Sequence, residues 1–413
     1  MRNQIPTLRL AVYLIALFAL AASLDCATTG LLSERYREDF YKVPRLLSDE
    51  PVQTNSTFIV YSDIQAGWRV QEKFLAKSNW TDAKMLIFPF YQLYLIGNGL
   101  VGGINWLRHS PDYGGEQRRM VRDAVYAKAK HSQAAFVLNL GDMAADDGRR
   151  PSHWASFLKE NKVQHPLLSE VPYLPVVGNH EHANDPQFGL PNYRSVFDYP
   201  GFYVVELADA AVIVVNSGLI IDQYQDIDDD TQDLLFERWF VSSGESVAPA
   251  WLEEQLASRD KRFKVVAMHH PPLTFAMHQG DWTNPSFGRE LERKRRLLLG
   301  LFQKHEVDVV LSGHDHLYQH NLLRCGSDQK MHLVITGGGG GPLRGIVDAK
   351  TESELLAQFQ EEGWDVYLVQ SKEVHHFCLV QVHRERLIIR AFEVREDSER
   401  PTELIEEIII RKD

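Results

Sequence analysis

The chain reads as an α/β protein, a two-sheet β-sandwich flanked by helices. Three observations predict it. Apolar runs of strand length alternate with helical patterns from residue 57 onward, the last part of the chain alternates like hairpins, and several strand-like runs end in short polar clusters.

Each element follows from its residues. Thr57 to Tyr61 is an apolar, β-branched run that stops at Ser62 and Asp63. Met120 to Lys130 has helical spacing and leads into the buried run Ala134–Leu140. Tyr173 to Val177 precedes Gly178. Phe202–Leu207 and Ala211–Asn216 form a hairpin around Asp209. Phe263–Met268 is a further strand, Glu290–Lys304 a charged helix, and Val307–Ser312 and Met331–Thr336 are strands. Phe377 to Val394 alternates as a hairpin turning at Arg384, Glu385 and Arg386.

The N-terminus differs. Arg2 and Arg9 precede an apolar stretch from Leu10 to Leu24, with small residues at Ala19, Ala21 and Ala22. This is the pattern of a signal peptide, or of an uncleaved anchor, over residues 1–25. The chain is therefore expected to be secreted, periplasmic or membrane-anchored on the extracytoplasmic side. Cys26 could accept lipid in a bacterial host. Residues 26–55 read as a linker, 56–396 as the main domain with an insertion at about 84–116, and 397–413 as a C-terminal strand or tail. Within the insertion, residues 85–107 are aromatic, aliphatic and glycine-rich. They read as a packed insertion, or as a surface for lipid or an apolar substrate group.

Composition limits the partners. The 413 residues are 44% apolar and carry a net charge of -12, with no long basic block, so neither a nucleic acid nor an anionic membrane is the main electrostatic partner. Of the three cysteines, Cys325 and Cys378 either pair or stay as buried thiols. Asn55 and Asn79 open glycosylation sequons. Asp222 to Asp233 reads as a solvated acidic loop.

Five clusters carry the chemistry. They are Ser62–Gln65, Gly141–Asp142, Gly178–Glu181, His269–Pro272 and Gly313–His316, each after a strand-like run. Ligands gather at the carboxyl ends of strands in α/β folds. The donors are Asp, Asn, Gln and His, which suits Zn, Mn or Fe rather than a thiolate or calcium site. A pair of such ions about 4 Å apart can bind a phosphate ester and activate a water against it. A neighbouring histidine can protonate the leaving group. The set points to two divalent or trivalent metal ions (Mn, Fe or Zn) at the strand C-terminal edge.

In their order, the clusters resemble the calcineurin-like metallophosphoesterase superfamily, over about residues 57–394. Trp251–Leu256 and Thr336–Leu343 also resemble its secreted, purple acid phosphatase-like branch. The resemblance implies that Asp63, Gln65, Asp142 and His316 hold one metal, and Asp142, Asn179, His269 and His314 the other. It implies that His180 binds phosphate and donates a proton, with Asn179 also on the substrate and His270 lining the pocket. The implied reaction is attack of a metal-bridging hydroxide on a phosphorylated small molecule, foremost a phosphomonoester. A phosphodiester of a nucleotide or lipid headgroup, or a non-catalytic binding role, is the alternative. Two positions depart from the pattern. Gln65 stands where the family has His, and Ala145 where purple acid phosphatases have a metal-binding Tyr. Weaker candidates are His182, His320 and Asn321, whose other reading is solvated loop. Gly337–Gly341 is a tight turn near the metals, and His375 and His376 are structural.

Overall fold

A computed structural model describes residues 56–67, 115–145, 148–182, 186–197, 199, 201–218, 250–258, 260–283, 290–325, 329–396 and 400–412. The N-terminal stretch, the linker, the insertion, both sequons, Cys26 and the acidic loop lie outside these residues.

Among the described residues, thirteen strands form two sheets. They are β1 (Ser56–Tyr61), β2 (Phe136–Asn139), β3 (Tyr173–Pro175), β4 (Tyr203–Glu206), β5 (Ala210–Val215), β6 (Phe263–Met268), β7 (Val309–Ser312), β8 (Tyr318–Cys325), β9 (Gln329–Thr336), β10 (Asp365–Lys372), β11 (His376–His383), β12 (Arg386–Val394) and β13 (Thr402–Arg411). One sheet runs β13-β12-β11-β1-β2-β3 and the other β10-β8-β9-β7-β6-β5-β4. The longer helices are α1 (Gly115–Ser132), α2 (Pro151–Leu158), α3 (Pro186–Phe197), α4 (Ala250–Ala257), α5 (Glu290–Lys304) and α6 (Ala349–Glu361). The two-sheet sandwich flanked by helices is the architecture the sequence predicts.

Side-chain alternation explains the layering. On β5, Ala210, Val212 and Val214 enter the core between the sheets. Their neighbours Ala211, Ile213 and Val215 enter a second core, with Leu252 and Leu256 of α4, Leu298, Leu299 and Phe302 of α5, and Leu355 and Phe359 of α6. A strand buried on both faces must be apolar at every position, which is why β5 reads AAVIVV. Each such Val or Ile contributes about 1.5–3 kcal/mol by leaving water. The N-terminus of α6 is capped by Asp348, whose Oδ1 accepts from the Thr351 N–H at 2.8 Å.

Strand direction sets up the site. β1, β2 and β3 are mutually parallel, and so are β5, β6, β7 and β9. The loops leaving their carboxyl ends carry all five polar clusters.

Two expectations are corrected. His320 and Asn321 are not loop residues: β8 begins at Tyr318 and both are buried. His320 Nδ1 meets Glu406 Oε1 at 2.8 Å and its Nε2 meets His332 Nδ1 at 3.0 Å, which ties β13 of one sheet to β8 and β9 of the other. Asn321 Nδ2 donates to Gln319 Oε1 at 3.0 Å. Cys378 is a free, buried thiol on β11, so the disulfide alternative fails.

Candidate metal centre

The site is built from loops that leave little freedom. Asp142 follows Gly141, whose φ is +106° and where a Cβ would lie 2.7 Å from His269 Nδ1. A Cβ on Gly178 would lie 2.2 Å from Asp142 Oδ1, so backbone approaches the carboxylate where no side chain fits. Glu181 clamps this region from below. Its Oε2 accepts from the N–H groups of Asp142 (2.8 Å) and Gly178 (2.7 Å), and its Oε1 from those of Met143 (2.9 Å) and Ala144 (3.1 Å). Burial and the nearby Asp142 carboxylate push Glu181 up to about 7.

Backbone conformation is equally marked. Asp63, Gln65, Asp142 and His314 all have positive φ, at 61°, 51°, 54° and 71°. Such residues cost on the order of 1–3 kcal/mol each and gather at functional sites. The described residues hold only two other non-glycine examples, Gln133 and Glu306.

The predicted side chains meet. Asp142 Oδ1 lies 3.3 Å from His269 Nε2, and its Oδ2 lies 3.6 Å from His180 Nε2. His269 Nε2 also faces Asn179 Oδ1 at 2.9 Å and His314 Nδ1 at 3.1 Å. On the other side, His316 Nε2 lies 3.4 Å from Asp63 Oδ1 and 3.2 Å from Gln65 Nε2. One ligand atom each from Asp63, Asp142 and His269 fits within a span of 4.8 Å. Asp63, Gln65, Asp142, His269 and His316 are all at or below 1% exposure, whereas the His180 side chain is 15% exposed and reaches solvent.

Ring orientations are fixed from behind. His269 Nδ1 sits 2.8 Å from the Leu140 carbonyl and His316 Nδ1 2.6 Å from that of Pro342, so each donates outward and turns Nε2 inward. His180 Nδ1 is held by the Ala145 carbonyl. His270 is buried, pairs its Nδ1 with Ser217 Oγ at 2.9 Å and packs against the His314 ring at 4.5 Å.

Charge in the cluster is balanced by its own members. Burial alone would lower His269, but Asp142 and Asp63 overcome it and raise it to about 10. Burial would raise Asp142, yet His180 and His269 hold it well below the carboxylate range. Asp63 is likewise lowered, by His316 against its burial. Burial and His314 press His270 well below its ordinary value.

A metal fits these residues. Asp63 Oδ1 and Gln65 Oε1 are buried with no hydrogen-bond partner, and His316 Nε2 lies 3.4 Å from the former and 3.2 Å from the Gln65 amide nitrogen. Buried oxygens are not left unpaired without cost. A cation held by these oxygens and by imidazole nitrogens would satisfy them.

Residues 56–318 match the Calcineurin-like phosphoesterase family. The chain belongs to that family. Among curated relatives of this phosphoesterase, purple acid phosphatase 4 of Arabidopsis thaliana is 26% identical over 55% of this chain and 65% of its own length. Purple acid phosphatase 7 of the same plant is 24% identical over 63% of this chain and 76% of its own length. The match thus spans just under two thirds of the first relative. A purple acid phosphatase from yellow lupin seeds has the same fold, at 15% identity and a TM-score of 0.56, covering 89% of this chain and 55% of the lupin chain.

Sequence reading missed several residues around the phosphoesterase site. Asp281 Oδ2 lies 2.7 Å from His314 Nε2, and the His278 ring packs at a tilt against that of His314, 3.9 Å between centroids. Burial would raise Asp281, but His278 and His314 hold it far below the usual carboxylate range. Asp315 braces this loop, accepting from Thr274 Oγ1 at 2.7 Å and from the His278 N–H at 3.1 Å. Arg344 Nη1 lies 3.0 Å from His278 Nε2, which brings a cation to the rim. No periodicity or local spacing signals these contacts.

Proposed function

We propose that this protein is a metal-dependent phosphohydrolase acting on phosphomonoesters. The observation that supports it most is the pairing of a buried Asp142, set between His269 and His180, with the unpartnered buried oxygens of Asp63 and Gln65. Asp63, Gln65, Asp142 and His316 would hold one ion, and Asp142, Asn179, His269 and His314 a second. Bound ions of Mn, Fe or Zn supply positive charge to the phosphate oxygens and acidify a water for attack. Asp142 lies between the two sets and is the shared carboxylate. His180 is the proton donor to the departing alkoxide. Its ring is oriented by the Ala145 carbonyl, leaving Nε2 near Asp142 Oδ2 and open to solvent. Asn179, the residue before it, is available to the phosphate oxygens, and His270 supports His314. Ala145 offers no phenol oxygen, so no tyrosinate-to-iron colour is expected.

The apolar stretch Leu10–Leu24 supports an exported chain, secreted or held outside the cytoplasm. Among the described residues no helix is long and apolar enough to cross a membrane.

The test is metal content together with hydrolysis of para-nitrophenyl phosphate and its bis-ester. About two ions per chain and faster monoester cleavage are expected. Faster diester cleavage would move the assignment to a phosphodiesterase. Protein that binds no Mn, Zn or Fe and cleaves neither ester would sink the catalytic reading.

A further inference from the structure

The edge opposite the metal centre holds a basic pocket of about 620 Å³. Its lining includes Arg262, Arg384, Arg386, Arg411 and Lys412, with Glu385 as the one carboxylate. In a chain of net charge -12 this is a local reversal of sign.

The pairing of β12 with β13 makes the reversal specific. Along this ladder Arg390 faces Glu407 and forms an ion pair at 2.5 Å. Glu393 faces Glu403, a like-charge pair, but Arg395 reaches both and neutralises them. Arg386 faces Arg411 directly, and among the described residues neither forms an ion pair. Like charges directly opposite on a sheet destabilise it. The ladder solves that problem at Glu393/Glu403 with a bridging ion of opposite sign, and Arg386/Arg411 offers the mirror-image site to an anion.

The pocket wall is already fixed. Arg262 Nη2 donates to the Lys412 carbonyl at 2.7 Å, and its Nε is buried without a partner. The Lys412 N–H donates to the Glu385 carbonyl at 3.2 Å, and its amine lies 2.8 Å from Asp308 Oδ1. The Arg262 guanidinium is held in this way, and Arg384, Arg386 and Arg411 are exposed around it; guanidinium groups suit phosphate, which they can bind through paired N–H donors.

We propose that this pocket binds a phosphate-bearing anion, separately from the metal centre and without hydrolysing it. The source is either a soluble oligophosphate or the headgroup of an anionic lipid. Ser56, the first residue of β1, pairs with Val382, one position before His383 on the pocket wall.

The experiment is calorimetric titration of the metal-loaded protein with methylenediphosphonate, a diphosphate that cannot be hydrolysed. Binding at the metal edge is common to every variant. Arg411→Glu places a carboxylate opposite Arg386, so the ladder gains a favourable pair while the pocket loses its anion. The second binding event should weaken by about tenfold or more, with para-nitrophenyl phosphate turnover unchanged. Arg384→Gln, on the exposed hairpin turn, should weaken it in the same direction and does not depend on the ladder. Flotation with phosphatidylcholine vesicles, with and without phosphatidic acid, separates the sources. Flotation that requires both phosphatidic acid and Arg411 assigns a headgroup, and diphosphonate binding without flotation assigns a soluble anion. Binding that neither substitution weakens, or no binding at all, overturns the proposal.

Discussion

Two histidine–carboxylate clusters in this molecule differ in one respect that separates structure from chemistry. In the first, Glu406, His320 and His332 join β13 to β8 and β9, and every bond closes on another member: Tyr318 also donates to Glu406 Oε2 at 2.9 Å. In the second, at the carboxyl edge, Asp142, His269 and His316 crowd together while Asp63 Oδ1 and Gln65 Oε1 face no donor. Composition alone does not distinguish them. The unsatisfied oxygens do, because they mark a place that a cation would complete.

Substitutions can break this contrast. The largest effect is expected from Asp142→Asn, which removes the shared charge. Phosphomonoester turnover should fall by at least about a thousandfold, roughly 4 kcal/mol of barrier, and metal content should fall with it. Atomic emission on the purified variant checks the second part.

The structural cluster should answer to pH instead. Burial, then His320, lowers His332 from 6.5 to about 4, with Glu406 opposing and Lys330 adding to the shift. Its unfolded form takes up a proton first as pH falls. Stability should therefore be complete above about pH 6.5 and decline as pH falls towards 4, by on the order of 3 kcal/mol at most. Urea unfolding at pH 8 and pH 5 should give a smaller difference in His332→Gln than in the wild type. An equal difference would assign the acid sensitivity elsewhere.

Two finer changes sharpen the metal side. Asp281→Asn should lower metal affinity by about 10- to 100-fold, since the carboxylate behind His314 orients its ring and raises its basicity. Reduced affinity with turnover retained at saturating metal would identify Asp281 as a positioning residue. Gln65→His restores an imidazole in place of a neutral amide oxygen. Zinc affinity should rise by about tenfold, measured by competition with a chromogenic chelator. Unchanged affinity would mean that Gln65 stands outside the ligand set.

Much of this was legible in the sequence, for a physical reason. A strand buried on both faces must be apolar throughout, so β1, β5, β6 and β7 announce themselves, and polar residues just beyond their ends stand out. Glu181 was visible as part of its cluster, but its four-pronged backbone clamp was not. β8 was hidden because Tyr318, Gln319, His320 and Asn321 begin it with polar side chains, of which Tyr318 and His320 bond across the sandwich to Glu406. Asp281 reaches His314 from a loop 33 positions earlier, and no local pattern encodes such a contact.

The direction of β1 has a consequence for reach. Its first residue lies at the basic edge and its last leads directly into Asp63, so the six residues of the strand span the distance between the two ends. At about 3.3 Å per residue that is roughly 20 Å. At physiological salt, where screening acts over about 8 Å, charge at the basic edge is therefore little felt at the predicted metal ligands.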